Sequence, residues 1–465
     1  MKLLARAADA LWNPWLLGLF LVTGLVYSVG SGFFQIFELR LWWRRTAGTL
    51  LRRREHAGGG LSPLQALATA LASTIGTGSI AGVAAALTLG GPGAVFWMWV
   101  SALLGMMTSC GEKLLAVKYQ HSGSDGQLRG GPMYYIREGM GSPLLAACFC
   151  LACVPATLAG GNLVQASSIA SGLEAAFGLP RLPVGVVTAL LAGLVMAGGV
   201  GRIAAASTAL VPVMALLYLG SGGAVLLYRW ERIPQALGVI FSCALSPAAA
   251  AGGGAGWTVA AALRHGVARG VFTNEAGLGA SAMAHGAART DPVCQGLWGI
   301  FEVFVSTLLV CTVTALAILV SGVWDPAVPG ALTGAPLTAA AFSSVLGRAG
   351  EGVVTLSLLL FAFSSILGWS YYGQQAVSFL MGRELEGAVL GLYRALFLGC
   401  TVLGAVWEGT AVWQLVDLCD ALMALPNLAA LLFLAPQALR LLWDWRFREE
   451  KRPLLRKAKK KKKPY

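Results

Sequence analysis

The sequence predicts an all-α polytopic membrane protein. Eleven transmembrane helices are expected, two of them broken, in a five-plus-five inverted repeat with one extra N-terminal helix. Three observations carry this. Apolar runs of about 18–25 residues, the length of a bilayer-crossing helix, recur along the whole chain. Of the 465 residues, 57% are hydrophobic and 12% charged, against about 25% charged in soluble domains. Two runs are interrupted by Gly, Thr and Asn at corresponding positions of the two halves. The alternating pattern of a transmembrane barrel is not seen.

In chain order, spans are expected at 14–37, 64–90, 93–118, 144–172, 183–201, 205–228, 257–288 (broken), 295–322, 352–380, 387–406 and 411–445 (broken near Pro426). The first apolar segment begins near Trp15, and its length suits a span, not a cleavable leader. The stretch 231–256, ending in Gly252-Gly253-Gly254, is too broken for a span and reads as an external loop or re-entrant piece. One transmembrane domain, 1–445, then holds the extra helix 14–37 and repeats at about 64–228 and 257–445. A basic tail, 446–465, follows.

Charge sets the orientation, because Lys and Arg beside spans mark the cytoplasmic side. Arg40, Arg44, Arg45, Arg52, Arg53 and Arg54 form one cluster after the first span, and the tail forms another. Both inside places the N-terminus outside and the C-terminus in the cytoplasm, which requires an odd number of spans. Lys113, Lys118, Arg129, Arg137, Arg202, Arg289 and Arg383 then fall inside; Arg229 and Arg232 are exceptions. The Lys459–Lys463 run reads as a contact with anionic lipid and not with nucleic acid.

The first interruption is Thr74-Ile75-Gly76-Thr77-Gly78-Ser79. Gly costs about 1 kcal/mol against Ala inside a helix. In a membrane, unwound backbone survives only where its N–H and C=O groups find protein, water or ligand partners. Half-helix N-termini favour a carboxylate, while C-termini and free carbonyls favour a cation. The stretch reads as a site for an amino acid with a cation, or as a Gly-x-Gly packing contact. The second interruption, Phe272 to Gly279, offers an apolar wall in Phe272 and polar contacts in Thr273 and Asn274. In the fourth run, Asn162 and Gln165 stand about one turn apart on one face. Buried amides bond each other, a neighbouring backbone or a ligand. In the ninth run, Ser364 and Ser365 suit a hard cation and Trp369 suits the cap of a small pocket; plain packing is the alternative.

Glu112, Glu275 and Glu302 fall in or near spans, where an acid is a functional candidate by default. Glu112 reads as a structural pair with Lys113 near the inner surface. Glu275 reads as a partner of Arg269 that pins the broken helix, and Glu302 as the coupling or gating acid. The 9 Cys, including Cys148, Cys150 and Cys153, read as small buried hydrophobes. The 4 His form no nucleophile–base or HExxH pattern, and no phosphate loop is present. That weighs against an enzyme and against ATP-driven transport. No cofactor is expected beyond a co-transported ion.

The chain resembles the alanine or glycine:cation symporter family, the sodium:alanine symporters. The resemblance rests on LSPLQALATALASTIGTGSIAGVA at 61–84, GGPGAVFWMW at 90–99, GGPMYYI at 130–136, GVARGVFTNEAGLG at 266–279, MAHGAARTDPVCQGLWGIFEVF at 283–304 and FAFSSILGWSYYGQQAV at 361–377. It implies the leucine-transporter-like fold of the amino acid–polyamine–organocation superfamily, with eleven spans. By the same resemblance, substrate contacts fall on Thr74, Gly78, Gln165, Phe272, Thr273, Asn274 and Trp369. Sodium would sit at the carbonyls of Ala72 and Ile75 and the hydroxyls of Ser364 and Ser365. Ser79 and Ser365 depart from the family's usual Asn and Thr, and Ser79 leaves fine substrate or ion preference open.

The expected function is Na⁺-coupled symport of a small neutral amino acid such as alanine or glycine, by alternating access, in the plasma or inner membrane. The alternatives are proton coupling through Glu302 or another acid, an ion channel, and a membrane-embedded enzyme. The oligomeric state stays open.

Overall fold

The computed structural model describes residues 11–12, 14–50, 60–123, 126–245, 258–325, 332–381, 386–407 and 410–461. Arg52 to Arg54, Gly252 to Gly254, Arg383, Lys462 and Lys463 lie outside them. The described chain is helical apart from loops, a small hairpin (His121–Ser122 with Leu128–Arg129) and an isolated bridge between Leu61 and Ala288.

Helix α1 (Pro14–Gly30) leads into two short helices, Phe34–Phe37 and Leu39–Arg45. The second run is broken as expected: α2 (Pro63–Thr74) and α3 (Ala81–Gly90) flank a single 3-10 turn, Thr77–Ser79. Ser62 opens α2 with a capping box, its hydroxyl accepting from Gln65 N while Gln65 Oε1 accepts from Ser62 N, and Pro63 stands at the first helical position. Helices α4 (Gly93–Lys118), α5 (Pro143–Phe177), α6 (Arg181–Met196) and α7 (Gly199–Tyr228) complete the first half. Helix α8 (Ile233–Leu245) lies within the stretch read as an external loop or re-entrant piece. At 13 residues it is too short to cross a bilayer. Phe241 on it meets Phe96 and Trp99 of α4 with ring centroids 5.7 and 5.9 Å apart.

The second break separates α9 (Val259–Asn274) from α10 (Ala280–His285). It is built on three positive φ angles, at Glu275 (54°), Gly277 (94°) and Gly279 (80°). Next come α11 (Pro292–Ser321), α12 (Gly334–Leu346), α13 (Arg348–Leu380), α14 (Glu386–Val406) and α15 (Thr410–Lys461). Helix α12 has no counterpart in the expected spans; at 13 residues it is also too short for one. Among the described residues, seven helices are long and apolar enough to cross a membrane: α4, α5, α7, α11, α13, α14 and α15.

Two expectations are corrected. Helix α15 runs through Leu425-Pro426-Asn427 without a break. Proline removes one amide donor and crowds the preceding turn, yet helices in membranes tolerate this where neighbours supply partners, and Asn427 ties this turn to α4 and the second break. Lys113 is not in an inner loop but fully buried inside α4, held by carboxylates of α4 and α11. Helix α4 is the spine against which α9 and α11 of the second half close. A Cβ added at Gly266 or Gly270 of α9 would come within 2.3 Å of Ala94 O or 2.2 Å of Ser101 Oγ. On α11, one at Gly296 or Gly299 would come within 2.9 Å of Cys110 O or 2.7 Å of Ser109 O. Small residues here set helix spacing.

Candidate functional site

Breaking a buried helix frees carbonyls and amides that must be satisfied, and the partners define the site. At the first break, Ala72 O accepts from Ser364 Oγ at 2.9 Å and Ser365 Oγ at 3.2 Å, and Ser73 O accepts from Ser365 Oγ at 3.2 Å. Ser79 O accepts from Thr314 Oγ1 at 2.9 Å and Ile80 O from Thr338 Oγ1 at 3.2 Å. Helical bonding resumes when Ser79 N donates to Gly76 O and Ile80 N to Thr77 O. The amides of Gly76, Thr77 and Gly78 thus form the start of the second half-helix, where first-turn N–H groups have no carbonyl within the helix.

The two breaks meet at one closed cavity of about 20 Å³, room for about one water molecule. Of the expected substrate residues, Thr74, Gly78, Gln165, Phe272 and Trp369 line it. Gln165 comes from the turn after a π-helical segment of α5, Ala159–Leu163. Its Nε2 donates to Gly160 O at 3.1 Å, while its buried Oε1 has no partner. Trp369 packs on Gly161, where an added Cβ would fall 2.3 Å from the indole-bearing Cβ.

Thr273 and Asn274 are not on this wall. Thr273 Oγ1 donates back to Arg269 O at 2.8 Å. Asn274 Oδ1 accepts from Ala276 N at 3.0 Å, and the residue lines a separate small cavity with Phe20 and Ser101. Asn162 and Gln165 also part company. Asn162 Nδ2 donates to Phe397 O at 2.5 Å and its Oδ1 accepts from Thr401 Oγ1 at 2.9 Å, so it knits α5 to α14. The π-segment inserts extra winding, which the simple one-turn spacing does not include. Beside the cavity, the hydroxyls of Ser364 and Ser365 converge on the Ala72 carbonyl. The Ser73 carbonyl is an oxygen that the sequence reading missed, and Ile75 is the buried C-cap of α2.

Glu112 pairs with Lys113 as expected; in other respects the acids differ from expectation. Arg269 does not reach Glu275; it lies over the rings of Phe272 and Trp413, 6.0 and 5.6 Å from their centroids. Glu275 instead lines the cavity, together with Asp420 of α15, a residue the sequence reading passed over although an acid in an apolar helix is a standing signal. Glu112 is fully buried, not near a surface. Its Oε1 accepts from Gly277 N at 2.9 Å and Asn427 Nδ2 at 2.7 Å, and Asn427 Nδ2 also reaches Gly277 O at 2.9 Å. Lys113 Nζ lies 3.4 Å from Glu112, 3.6 Å from Glu302 and 2.8 Å from Ser109 Oγ. His285 Nε2 lies 3.1 Å from Glu302, and Gln295 Nε2 lies 2.6 Å from His285 Nδ1. This buried cluster ties the second break to α4, α11 and α15.

Compared with known proteins, residues 1–460 match the model of the "Sodium:alanine symporter family". The chain belongs to the sodium:alanine symporter family. It is 40% identical over 439 residues to "Sodium/alanine symporter AgcS" of Methanococcus maripaludis, covering 91% of this chain and 92% of that one. It is 36% identical over 443 residues to "Probable sodium/glutamine symporter GlnT" of Bacillus subtilis, covering 94% and 89%. Among solved structures, it shares its fold with a manganese transporter of Eremococcus coleocola at a TM-score of 0.50 and 18% identity, covering 82% of this chain and 78% of that one. Membership of the sodium:alanine symporter family places the chain among multi-pass amino-acid:cation symporters, transporters rather than enzymes.

Proposed function

We propose that the chain is a Na⁺-coupled symporter that imports a small neutral amino acid, alanine or glycine, by alternating access. The observation that carries this is the meeting of both helix breaks at one closed cavity, with two serine hydroxyls gathered on an α2 carbonyl beside it. The substrate carboxylate goes to the amides of Gly76, Thr77 and Gly78, its ammonium to Gln165 Oε1, and its side chain against Phe272 and Trp369. Thr74, Thr273 and Asn274 complete the polar wall once the second break opens. Sodium takes the oxygens of Ala72, Ile75, Ser364 and Ser365, the hydroxyls turning their lone pairs inward. The small cavity and its two aromatic walls favour alanine over the glutamine for which GlnT is named.

Eleven spans follow from the seven long helices plus α1, the α2–α3 pair, α6 and the α9–α10 pair. Without α1, the remaining ten form two inverted sets of five, each opened by a broken helix. Arg446 bonds Glu38 at 2.5 Å, and Arg45 bonds Glu449, which supports placing the first basic cluster and the tail on one, cytoplasmic side, where the tail meets anionic lipid. In this orientation Arg129–Glu386 (2.7 Å) and Tyr119–Gln437 (2.7 Å) close the inner face. A cavity of about 560 Å³ between the ends of α5, α12 and α13 serves as the outer vestibule.

The test is binding of radiolabelled alanine to detergent-purified protein. Na⁺ should raise affinity at least tenfold over choline, with glycine competing and glutamine weak. Equal binding in choline, or glutamine competing as well as alanine, contradicts the proposal.

A further inference from the structure

Two carboxyl groups with no role in that scheme line the same cavity: Glu275 in the second break and Asp420 on α15. They are buried, 2% and 3% exposed. Among the described residues, neither forms an ion pair with Lys, Arg or His. Arg269 is turned to Phe272 and Trp413, and Lys113 lies between Glu112 and Glu302. Glu275 Oε2 has no partner, and neither has Gln165 Oε1, which faces the same space. The wall therefore offers acceptors without a compensating charge. Glu275 also holds a left-handed backbone, φ 54°, at the C-cap of α9, a conformation uncommon for a residue other than Gly.

We propose that Glu275 and Asp420 form a proton site that is loaded and emptied together with the amino acid. The pair carries one proton, one carboxyl neutral and the other ionised, while the cavity is closed. When the second break opens to water, the carboxyl releases H⁺ and remains as carboxylate. The proposal rests on reading this cavity as the substrate site. Two ionised carboxylates are disfavoured around a space with room for about one water, because like charges in one buried site drive one of the two to take up a proton. A proton meets that demand better than a second Na⁺, since a space of about 20 Å³ must also admit the amino acid, and a proton occupies none of it.

The other titratable groups facing the pair are Cys153 on α5, Tyr372 on α13, and Asp417 and Cys419 on α15. The Glu112–Lys113 pair of α4, Glu302 of α11 and His285 of α10 form the next layer. Glu302, the coupling acid expected from sequence, also has one unpartnered oxygen, but it lies against Lys113 and His285 and does not line this cavity.

The experiment uses proteoliposomes with a pH dye in the lumen, Na⁺ saturating on both sides and the voltage clamped, with alanine added outside. Wild type should acidify the lumen with close to one proton per alanine. In Glu275→Gln and in Asp420→Asn the ratio per alanine moved should fall close to zero, so that lost rate divides out. Wild type that moves alanine without protons overturns the proposal, whatever the variants do. So does a ratio lost in Glu302→Gln and kept in both cavity variants. Protons retained in the cavity variants alongside a lower Na⁺ cooperativity also overturn it, by assigning the pair to Na⁺. Absence of any alanine movement in Na⁺ is instead the failure of the transport reading, and the proton site falls with it.

Discussion

Replacing Gln165 by alanine removes both ends of an amide that the structure uses only once. Nε2 donates to Gly160 O at 3.1 Å, and Oε1, facing the cavity, has no partner. The lost Nε2 bond is worth about 1 kcal/mol, and Gly160 O then faces a cavity that admits water. The melting temperature should fall by no more than about 4 °C, the upper end of the shift per kcal/mol in mid-sized domains. A bond from Oε1 to a substrate ammonium is to a charged group, worth about 1.5–3 kcal/mol. Alanine affinity should therefore fall roughly 10- to 160-fold. Asn162→Ala is the control, because Asn162 bonds Phe397 O and Thr401 Oγ1 and is not on the wall of the cavity at the breaks. It should cost about 1–3 kcal/mol of stability and leave affinity close to wild type. The assay is equilibrium alanine binding at saturating Na⁺ with melting curves on the same samples. Gln165→Ala binding within twofold of wild type, beside a lowered melting temperature, would assign Gln165 to packing.

Three further outcomes are expected. Ser364→Ala and Ser365→Ala each remove one oxygen from the Ala72 carbonyl and should raise Na⁺ half-saturation several-fold at normal purified yield. Gly76→Ala, which puts a Cβ 2.6 Å from Ser365 Oγ, should do the same by displacing that hydroxyl; unchanged Na⁺ dependence in all three would place the cation elsewhere. Trp369→Ala should weaken alanine binding and let leucine or methionine compete, by an amount bounded at about 1–3 kcal/mol per methylene; unchanged competition removes Trp369 as a size filter. Glu112→Ala strips the acceptor from Gly277 N and Asn427 Nδ2 and should cost about 3–5 kcal/mol, as breaking one partner of a buried pair does. It should give the largest fall in melting temperature of these variants, and a fall no larger than that of Gln165→Ala refutes its role as the anchor of the second break.

Both breaks were legible because Gly and Thr in an apolar run contradict helix propensity locally, and the contradiction survives into Thr77–Ser79 and the positive φ angles at Glu275, Gly277 and Gly279. Span limits at 93–118, 352–380 and 387–406 fell close to those of α4, α13 and α14 because a continuous apolar run marks a span whether its faces meet protein or lipid. What failed depended on partners far along the chain. Proline at 426 reads as a break until Asn427 is seen holding Glu112, 315 positions away. Lys113 reads as a loop cation until Glu302 is seen opposite it. The direction of Gln165 relative to Asn162 turned on a π-segment that spacing alone does not reveal. Asp420 was overlooked because it sits in a run read only for its hydropathy, and its significance comes from sharing a cavity with Glu275.

The most direct measurement is uptake of radiolabelled alanine into proteoliposomes of the purified protein, with an inward Na⁺ gradient against equimolar choline at fixed pH and clamped voltage. Na⁺-driven symport through the site at the two breaks gives transient accumulation above equilibrium with Na⁺, none in choline, and loss of accumulation in Ser365→Ala at sub-saturating Na⁺. Equal uptake in Na⁺ and choline, or a current in Na⁺ that flows without amino acid, would contradict it.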